Sequence, residues 1–293
     1  MKALVFQYNA IVVDKPKPAI PYNHVLIRVH AVALSALENA VYGGLLWVEP
    51  GRTLGAEGFG RVEYLGVDAE TSFSGRLVAS LPKTERGIPG VDYDGFAAEY
   101  TSQPSSGVGL LPREVDDIVA AALASSTSIA LYVAEKSRGK NLLIIGSGYT
   151  GILTAYFSKQ AVNIVLIGNP SRRLKGVVRG FTNALYNYNK LSDIRGEWDI
   201  VFLSSLDARA RMYIRDVGRV STIIVHPWLE LLSTSIRGLT RVEVAGWTRS
   251  GEAYYAGRQL PEELREGLVK VIDNLESALP VTAPRVVVKL VEQ

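Results

Sequence analysis

Gly146, Gly148 and Gly151 stand at the spacing G-x-G-x-x-G within the run LLIIGSGYTGILTAYFSKQAVNIVLIGNPSRR, residues 142–173. The spacing alone says little. Here an apolar run ends at Gly146, a helix-like segment contains Gly151, and a second apolar run follows, which is the context in which such a turn holds a dinucleotide. The chemistry is that of bare peptide amides. Gly146 permits a tight turn, Gly148 lets the backbone approach a pyrophosphate, and Gly151 lets helix and strand pack closely. The helix N-terminus adds N–H groups and a partial positive charge. Gly146, Ser147, Gly148, Tyr149, Thr150 and Gly151 are the candidate pyrophosphate contacts. The plain alternative is a glycine-rich strand–helix turn with no ligand.

The end of the second apolar run bears on which dinucleotide. A carboxylate there would accept hydrogen bonds from ribose hydroxyls, favour NAD and repel a 2′-phosphate. This chain has Gly168, Asn169, Pro170, Ser171, Arg172 and Arg173 instead. Asn169 and Ser171 can donate hydrogen bonds, and an arginine meets a phosphate with a charge-assisted fork. The pattern favours NADP(H). Only one arginine needs to face the phosphate; the alternative is that both solvate the following helix.

Other groups belong to the same side of the fold. Ser204 closes the apolar run WDIVFLSS and is a further cofactor-binding candidate. His226 follows STIIV, at the C-terminal end of an expected strand, where ligands of open α/β sheets bind. It could touch the nicotinamide or donate a proton, or be a loop histidine without a role. Composition removes other chemistries. The 293 residues contain no cysteine, which excludes thiolate nucleophiles, disulfides and cysteine metal sites. A net charge of +3 with both signs interspersed gives no reason to expect nucleic acid or a membrane surface. No apolar run reaches the ~20 residues of a bilayer span, and the start MKALVFQYNAIVV has no signal-peptide pattern. The expected location is cytoplasmic.

The elements that must position these groups fall into two textures. The first hundred residues read as short strands bounded by glycine or proline, among them HVLIRVHAVAL, GFGRVEYLG and GRLVASLP. From Glu114 an Ala-rich segment of helical period leads into strands and helices in alternation. NLLIIG, VNIVLIG, WDIVFLSS, RVSTIIVHP and RVEVAGW are strands; YTGILTAYFSKQ, DARARMYIRDV and LELLSTSIRG are helices. Apolar strands separated by helices predict a doubly wound parallel sheet. The tail PRVVVKLVEQ reads as one more strand that can return to the first domain.

Several pieces, in order, resemble the medium-chain dehydrogenase/reductase superfamily: MKALVF, VLIRVHAVALSALENAVYGG, LGAEGFGRVEYLG, DGFAAEY, AALASSTSIALYVA and LLIIGSGYTG. The resemblance covers nearly the whole chain. It implies an α/β fold, a GroES-like β-rich catalytic domain of residues 1–113 and 276–293 with a Rossmann NADP-binding domain of residues 114–275. The family holds the nicotinamide in the cleft between such domains. By family position Ser35, Glu38 and Tyr42 are catalytic-side candidates with His226, and Trp247, after the last Rossmann strand, is cofactor-binding. Ser35 is equally readable as a helix cap, and Glu57 as a structural partner of an arginine. The loop Tyr42–Gly55 is a candidate apolar substrate wall.

The chain departs from the zinc members of that family. Ser35 and Ala56 stand where they have zinc-binding cysteine and histidine, the third ligand falls on about Ser126, and Leu37 and Ala40 stand at the proton relay. Hydroxyl and methyl groups do not replace thiolate and imidazole on Zn²⁺. Simple alcohols lose a proton near pKa ~16, and zinc lowers this by many units. An acceptor that is already electron-poor needs only a few hydrogen-bond donors. The resemblance therefore points to the zinc-free quinone oxidoreductase branch: an NADPH-dependent, zinc-independent enzyme passing hydride to a quinone or α,β-unsaturated carbonyl. The rivals are an alcohol or sugar dehydrogenase, and a catalytically silent NADP-binding sensor or structural subunit. The expected partners are a small-molecule substrate and further copies of the chain, as homodimer or homotetramer, with VEVAGW as a pairing edge.

Overall fold

The computed structural model describes residues 1–207, 214, 217–231 and 241–291. The chain divides into two units: Met1–Ser126 with Arg249–Leu260 and Val269–Gln293, and Thr127–Thr248 with Pro261–Leu268. By packing, the first unit runs on past Arg113 and takes back two later pieces.

The first unit is built around β3 (His24–Leu34), eleven residues of which only Arg28 is exposed. β3 pairs antiparallel with β4 (Glu57–Leu65), with β6 (Tyr100–Pro104) and with the C-terminal β15 (Arg285–Lys289). The sheet runs β14-β15-β3-β4-β5-β7, where β5 is Leu77–Ser80, β7 is Val108–Leu110 and β14 is Val269–Ile272. The tail thus returns to the first unit, Val286 opposite Leu34. A separate hairpin joins β1 (Lys2–Phe6) and β2 (Ala10–Asp14). Val25, Ile27 and Val29 of β3 and Val286 of β15 form the core with Leu54 and Phe96 from loops.

Helices punctuate the sheet where their caps dictate. Ser35 starts α1 (Ala36–Tyr42) through a reciprocal capping box with Glu38. The expected helix after Glu114 begins at Ile118, because the Asp117 side chain accepts from Ala120 N–H at 2.9 Å; it comes in two pieces, α2 (Ile118–Ala122) and α3 (Ala124–Lys136).

The second unit holds a six-stranded parallel sheet. Its order is β10-β9-β8-β11-β12-β13, with β8 (Asn141–Ile145), β9 (Asn163–Ile167), β10 (Ala184–Tyr186), β11 (Gly196–Leu203), β12 (Gly218–Val225) and β13 (Arg241–Val244). In its own numbering this is 3-2-1-4-5-6, the doubly wound dinucleotide-binding order, which reverses direction between β8 and β11. α4 (Tyr149–Phe157) links β8 to β9, and α5 (Arg172–Arg179) links β9 to β10. Leu143, Ile145, Ile167, Val201 and Leu203 form a layer of its core; strands covered on both faces read as continuous apolar runs. The helices expected over DARARMYIRDV and LELLSTSIRG lie largely outside the described residues. α6 (Ser250–Arg258) packs with the first unit, and α7 (Glu262–Leu268) with the second. No helix among the described residues is long and apolar enough to cross a membrane.

Candidate functional site

The glycine turn sits where the strand order reverses, between the ends of β8 and β11. Its three glycines do different work. Gly146 has φ of +133°, and a Cβ there would lie 2.5 Å from Ser204 Oγ. A Cβ on Gly151 would overlap the Gly146 carbonyl oxygen and come within 2.7 Å of Ser204 Oγ. Both are glycine because the protein's own backbone leaves no room. Gly148 has an ordinary φ of −74°, and a Cβ there would meet nothing within 4 Å. No contact within the chain requires glycine at 148, so the open space over it is what an incoming group can use.

Gly148 is also the N-cap of α4 and offers no side-chain cap. The first-turn N–H groups of a helix have no intrahelical acceptors, and they carry the positive end of its dipole. The side chains of the turn point elsewhere. Tyr149 and Thr150 are buried, at 2% and 4% exposure; the Tyr149 hydroxyl pairs with Thr127 Oγ1 at 3.0 Å. Ser147 is half-buried. These positions can serve a pyrophosphate through their amides.

The end of β9 lies against this turn. A Cβ on Gly168 would be 2.5 Å from Ser147 Cβ and Oγ, so a carboxylate there would have to displace Ser147. Asn169 is exposed, with no side-chain partner among the described residues. Ser171 caps α5, its Oγ accepting from Leu174 N–H at 3.4 Å, which leaves its hydroxyl proton to donate outward. The two arginines differ. Arg173 is ion-paired with Glu266; Arg172, equally exposed, has no hydrogen-bond or ion-pair partner among the described residues.

The other strand ends carry Ser204, His226 and Trp247. Ser204 Oγ donates weakly to the Ile145 and Gly146 carbonyls, at 3.4 and 3.5 Å, and so closes the floor of the turn. His226 is 5% exposed; its Nδ1 accepts from Trp228 N–H at 3.3 Å, and the two rings meet edge-on at 4.9 Å. Trp247 is 38% exposed. Thr248 N–H donates to the Ser128 carbonyl at 3.3 Å.

In the first unit, Ser35 and Glu38 are bound to each other. Glu38 Oε2 accepts from Ser35 N–H at 2.7 Å and from Ser35 Oγ at 2.9 Å, while Ser35 Oγ accepts from Leu37 N–H. Glu38 Oε1 accepts from Ala56 N–H at 3.0 Å. The two positions that hold zinc ligands in the resembling family are thus bridged by one buried carboxylate. Tyr42, at the end of α1, is exposed, as are Leu45 and Trp47 in the loop after it.

Glu57 forms a second buried group. It is 0% exposed; Oε1 accepts from Ser126 N–H at 2.6 Å and Oε2 from Ser126 Oγ at 2.8 Å. Arg285 Nε donates to Oε2 at 3.1 Å and its NH2 to Ser126 Oγ at 2.8 Å. Burial pushes the Glu57 carboxyl above the ordinary glutamate value, and Arg285 and the Ser126 donors pull it back. Ser126, at the third ligand position, is therefore engaged by Glu57 and Arg285. Arg285 is the arginine anticipated for Glu57; its place at the start of a strand 228 residues away was not identifiable from spacing. Among the described residues no group of three or more His, Asp or Glu side chains could hold a metal ion. Hydroxyls already donating to carboxylates do not fit zinc.

No protein-family model matches the chain. It is similar to L-threonine 3-dehydrogenase of Xanthomonas euvesicatoria pv. vesicatoria (strain 85-10), with 29% identity over 201 residues, 60% of this chain and 59% of that protein. The match thus spans less than two thirds of the relative's length. Among solved structures, acetophenone reductase from Geotrichum candidum in complex with NAD aligns with a TM-score of 0.75 at 18% identity, covering 98% of this chain and 96% of that one. Haloferax mediterranei glucose dehydrogenase in complex with NADP, Zn and gluconolactone aligns with a TM-score of 0.73 at 16% identity over 100% of both chains. At such identities the structural likeness speaks for the fold. Taken with the sequence match and the strand order, it supports the resemblance to the medium-chain dehydrogenase/reductase superfamily.

Proposed function

We propose that the protein is an NADP(H)-dependent oxidoreductase that passes hydride to a quinone or an α,β-unsaturated carbonyl without zinc. The observation that carries the cofactor assignment is the open space over Gly148 beside an uncapped helix N-terminus. Gly146–Gly151 would cradle the pyrophosphate through main-chain N–H groups. Arg172, Ser171 and Asn169 would face the 2′-phosphate, and the packing of Gly168 on Ser147 keeps a competing carboxylate away. The structural neighbours bind NAD in one case and NADP in another, so the preference for NADP(H) rests on this corner alone.

A bound nicotinamide supplies or accepts the hydride. The chain's residues hold the phosphates, orient the ring and manage one proton. Trp228 N–H donates to His226 Nδ1, so in a neutral ring the proton is on Nε2. Ser35, Ala56 and Ser126 offer no thiolate or imidazole to acidify a plain alcohol, which favours an acceptor that needs only hydrogen bonds. The match to L-threonine 3-dehydrogenase supports a second reading, oxidation of an amino alcohol or sugar. A turnover panel followed by nicotinamide absorbance separates the two. NADPH consumption with quinones or enals supports the first; NADP⁺ reduction by threonine or sugars, at rates that rise with added zinc, replaces it with the second.

We further propose a homodimer or homotetramer. Among the described residues β13 ends the sheet order, and its Val242 and Val244 are exposed; a sheet edge is a template for a second copy. Sedimentation showing only monomer would remove this assembly.

A further inference from the structure

The first unit carries a groove of about 600 Å³ that shares no residue with the glycine turn. One wall is the extended segment containing Pro16, Pro18 and Pro21; the other is formed by Arg86, Tyr93 and the face of β6 that presents Tyr100 and Ser102.

Its cations are of two kinds. Lys15 donates to Asp94 at 3.2 Å and to Thr53 Oγ1 at 2.9 Å. Lys17 meets Glu63 at 3.2 Å, and Arg52 meets Glu49 at 2.6 Å. These charges are matched. Arg86 has no carboxylate partner among the described residues; its NH1 donates to His24 Nε2 at 2.7 Å. His24 is 8% exposed, and its Nδ1 donates to the Tyr22 carbonyl at 2.8 Å. That fixes a neutral ring whose Nε2 is an acceptor. The imidazole therefore holds Arg86 in place without neutralising it.

Two residues that line the groove carry buried polar atoms without partners. The buried Arg52 Nε and Ser102 Oγ bond to nothing among the described residues, and buried donors in native proteins are otherwise almost always satisfied. Tyr93 is 8% exposed, and its hydroxyl accepts from Thr84 Oγ1 at 3.4 Å. Burial pushes its phenol up to about 12, so it keeps a proton to donate.

We propose that this groove binds a small organic oxyanion, a carboxylate or phosphate set against Arg86 and the Ser102 and Tyr93 hydroxyls, with its carbon skeleton along the proline wall. A guanidinium held by a neutral acceptor keeps the charge and donors that an oxyanion pairs with. This site is independent of the dinucleotide turn.

The test is calorimetric titration of the full chain with benzoate and with inorganic phosphate, each with and without saturating NADPH. At least one anion should bind saturably whether or not NADPH is present, and Arg86→Gln should weaken it about tenfold, the worth of one charge-assisted hydrogen bond. Benzoate alone binding identifies a carboxylate on an apolar body; phosphate alone identifies a phosphate ester. Ser102→Ala, the removal of one hydroxyl, must also weaken binding and serves if Arg86→Gln fails to fold. The proposal is overturned if neither anion saturates, if either folded variant binds as the parent does, or if NADPH abolishes the binding.

Discussion

Alanine at each of the three turn glycines separates what the fold needs from what the ligand needs. At Gly151 the new methyl overlaps the Gly146 carbonyl, a backbone obstacle, and such overpacking costs about 3 kcal/mol. At Gly146 the φ of +133° adds roughly 1–3 kcal/mol of strain to a similar clash. At Gly148 two small effects oppose each other. Alanine restricts the unfolded chain, stabilising by about 0.4–1 kcal/mol, while alanine is a poorer N-cap than glycine by about 0.5–1 kcal/mol. The net change is within about 0.5 kcal/mol. The same methyl occupies the space a pyrophosphate needs. Losing one such charge-assisted hydrogen bond costs about 1.5–3 kcal/mol, so NADPH affinity should fall by between about tenfold and a hundredfold. Urea melts and NADPH calorimetry on the three variants decide it. If Gly148→Ala binds NADPH as the parent does, or unfolds as readily as Gly151→Ala, the reasoning is refuted.

Arg172→Ala should weaken NADPH about tenfold or more and leave NADH unchanged in calorimetry, while Arg173→Ala, already committed to Glu266, should do less; equal losses for both cofactors would remove Arg172 from the 2′-phosphate. Arg285→Met leaves Glu57 buried without its cation, and should lower stability by about 3–5 kcal/mol, read as a shifted urea midpoint at constant slope. Asp116 accepts from the Tyr254 hydroxyl at 2.6 Å and pairs with Arg258, and its carboxyl is held below the ordinary aspartate value by the Tyr254 bond first and Arg258 after it. A lowered folded-state value contributes stability above the ordinary aspartate range that is lost as pH falls through the folded value. Asp116→Asn should therefore destabilise at neutral pH and shrink the acid-side loss; an unchanged pH profile would refute the link.

The parallel sheet was readable because its strands are apolar on both faces and its turn is marked by glycine. The motif assigns the turn's three glycines different roles, and the packing against Ser204 and the Gly146 carbonyl shows that Gly146 and Gly151 are demanded by the fold while Gly148 is left open. Ser35 to Glu38 carries the S-x-x-E signature of a capping box, so the cap was legible locally; its bond onward to Ala56 N–H depends on a tertiary approach that spacing does not encode. Arg172 and Arg173 are adjacent and chemically identical in sequence. Glu266, 93 residues from Arg173, is what distinguishes them, and no local pattern points to it. Arg285 was hidden for the same reason.

The proposed activity requires a dinucleotide seated against the amides of Gly146–Gly151 with its extra phosphate at Arg172. Calorimetric titration of the purified protein with NADPH and with NADH measures this most directly. One-to-one binding with NADPH tighter by about tenfold or more is the predicted result. No heat of binding with either nucleotide, or NADH bound as tightly as NADPH, would contradict it.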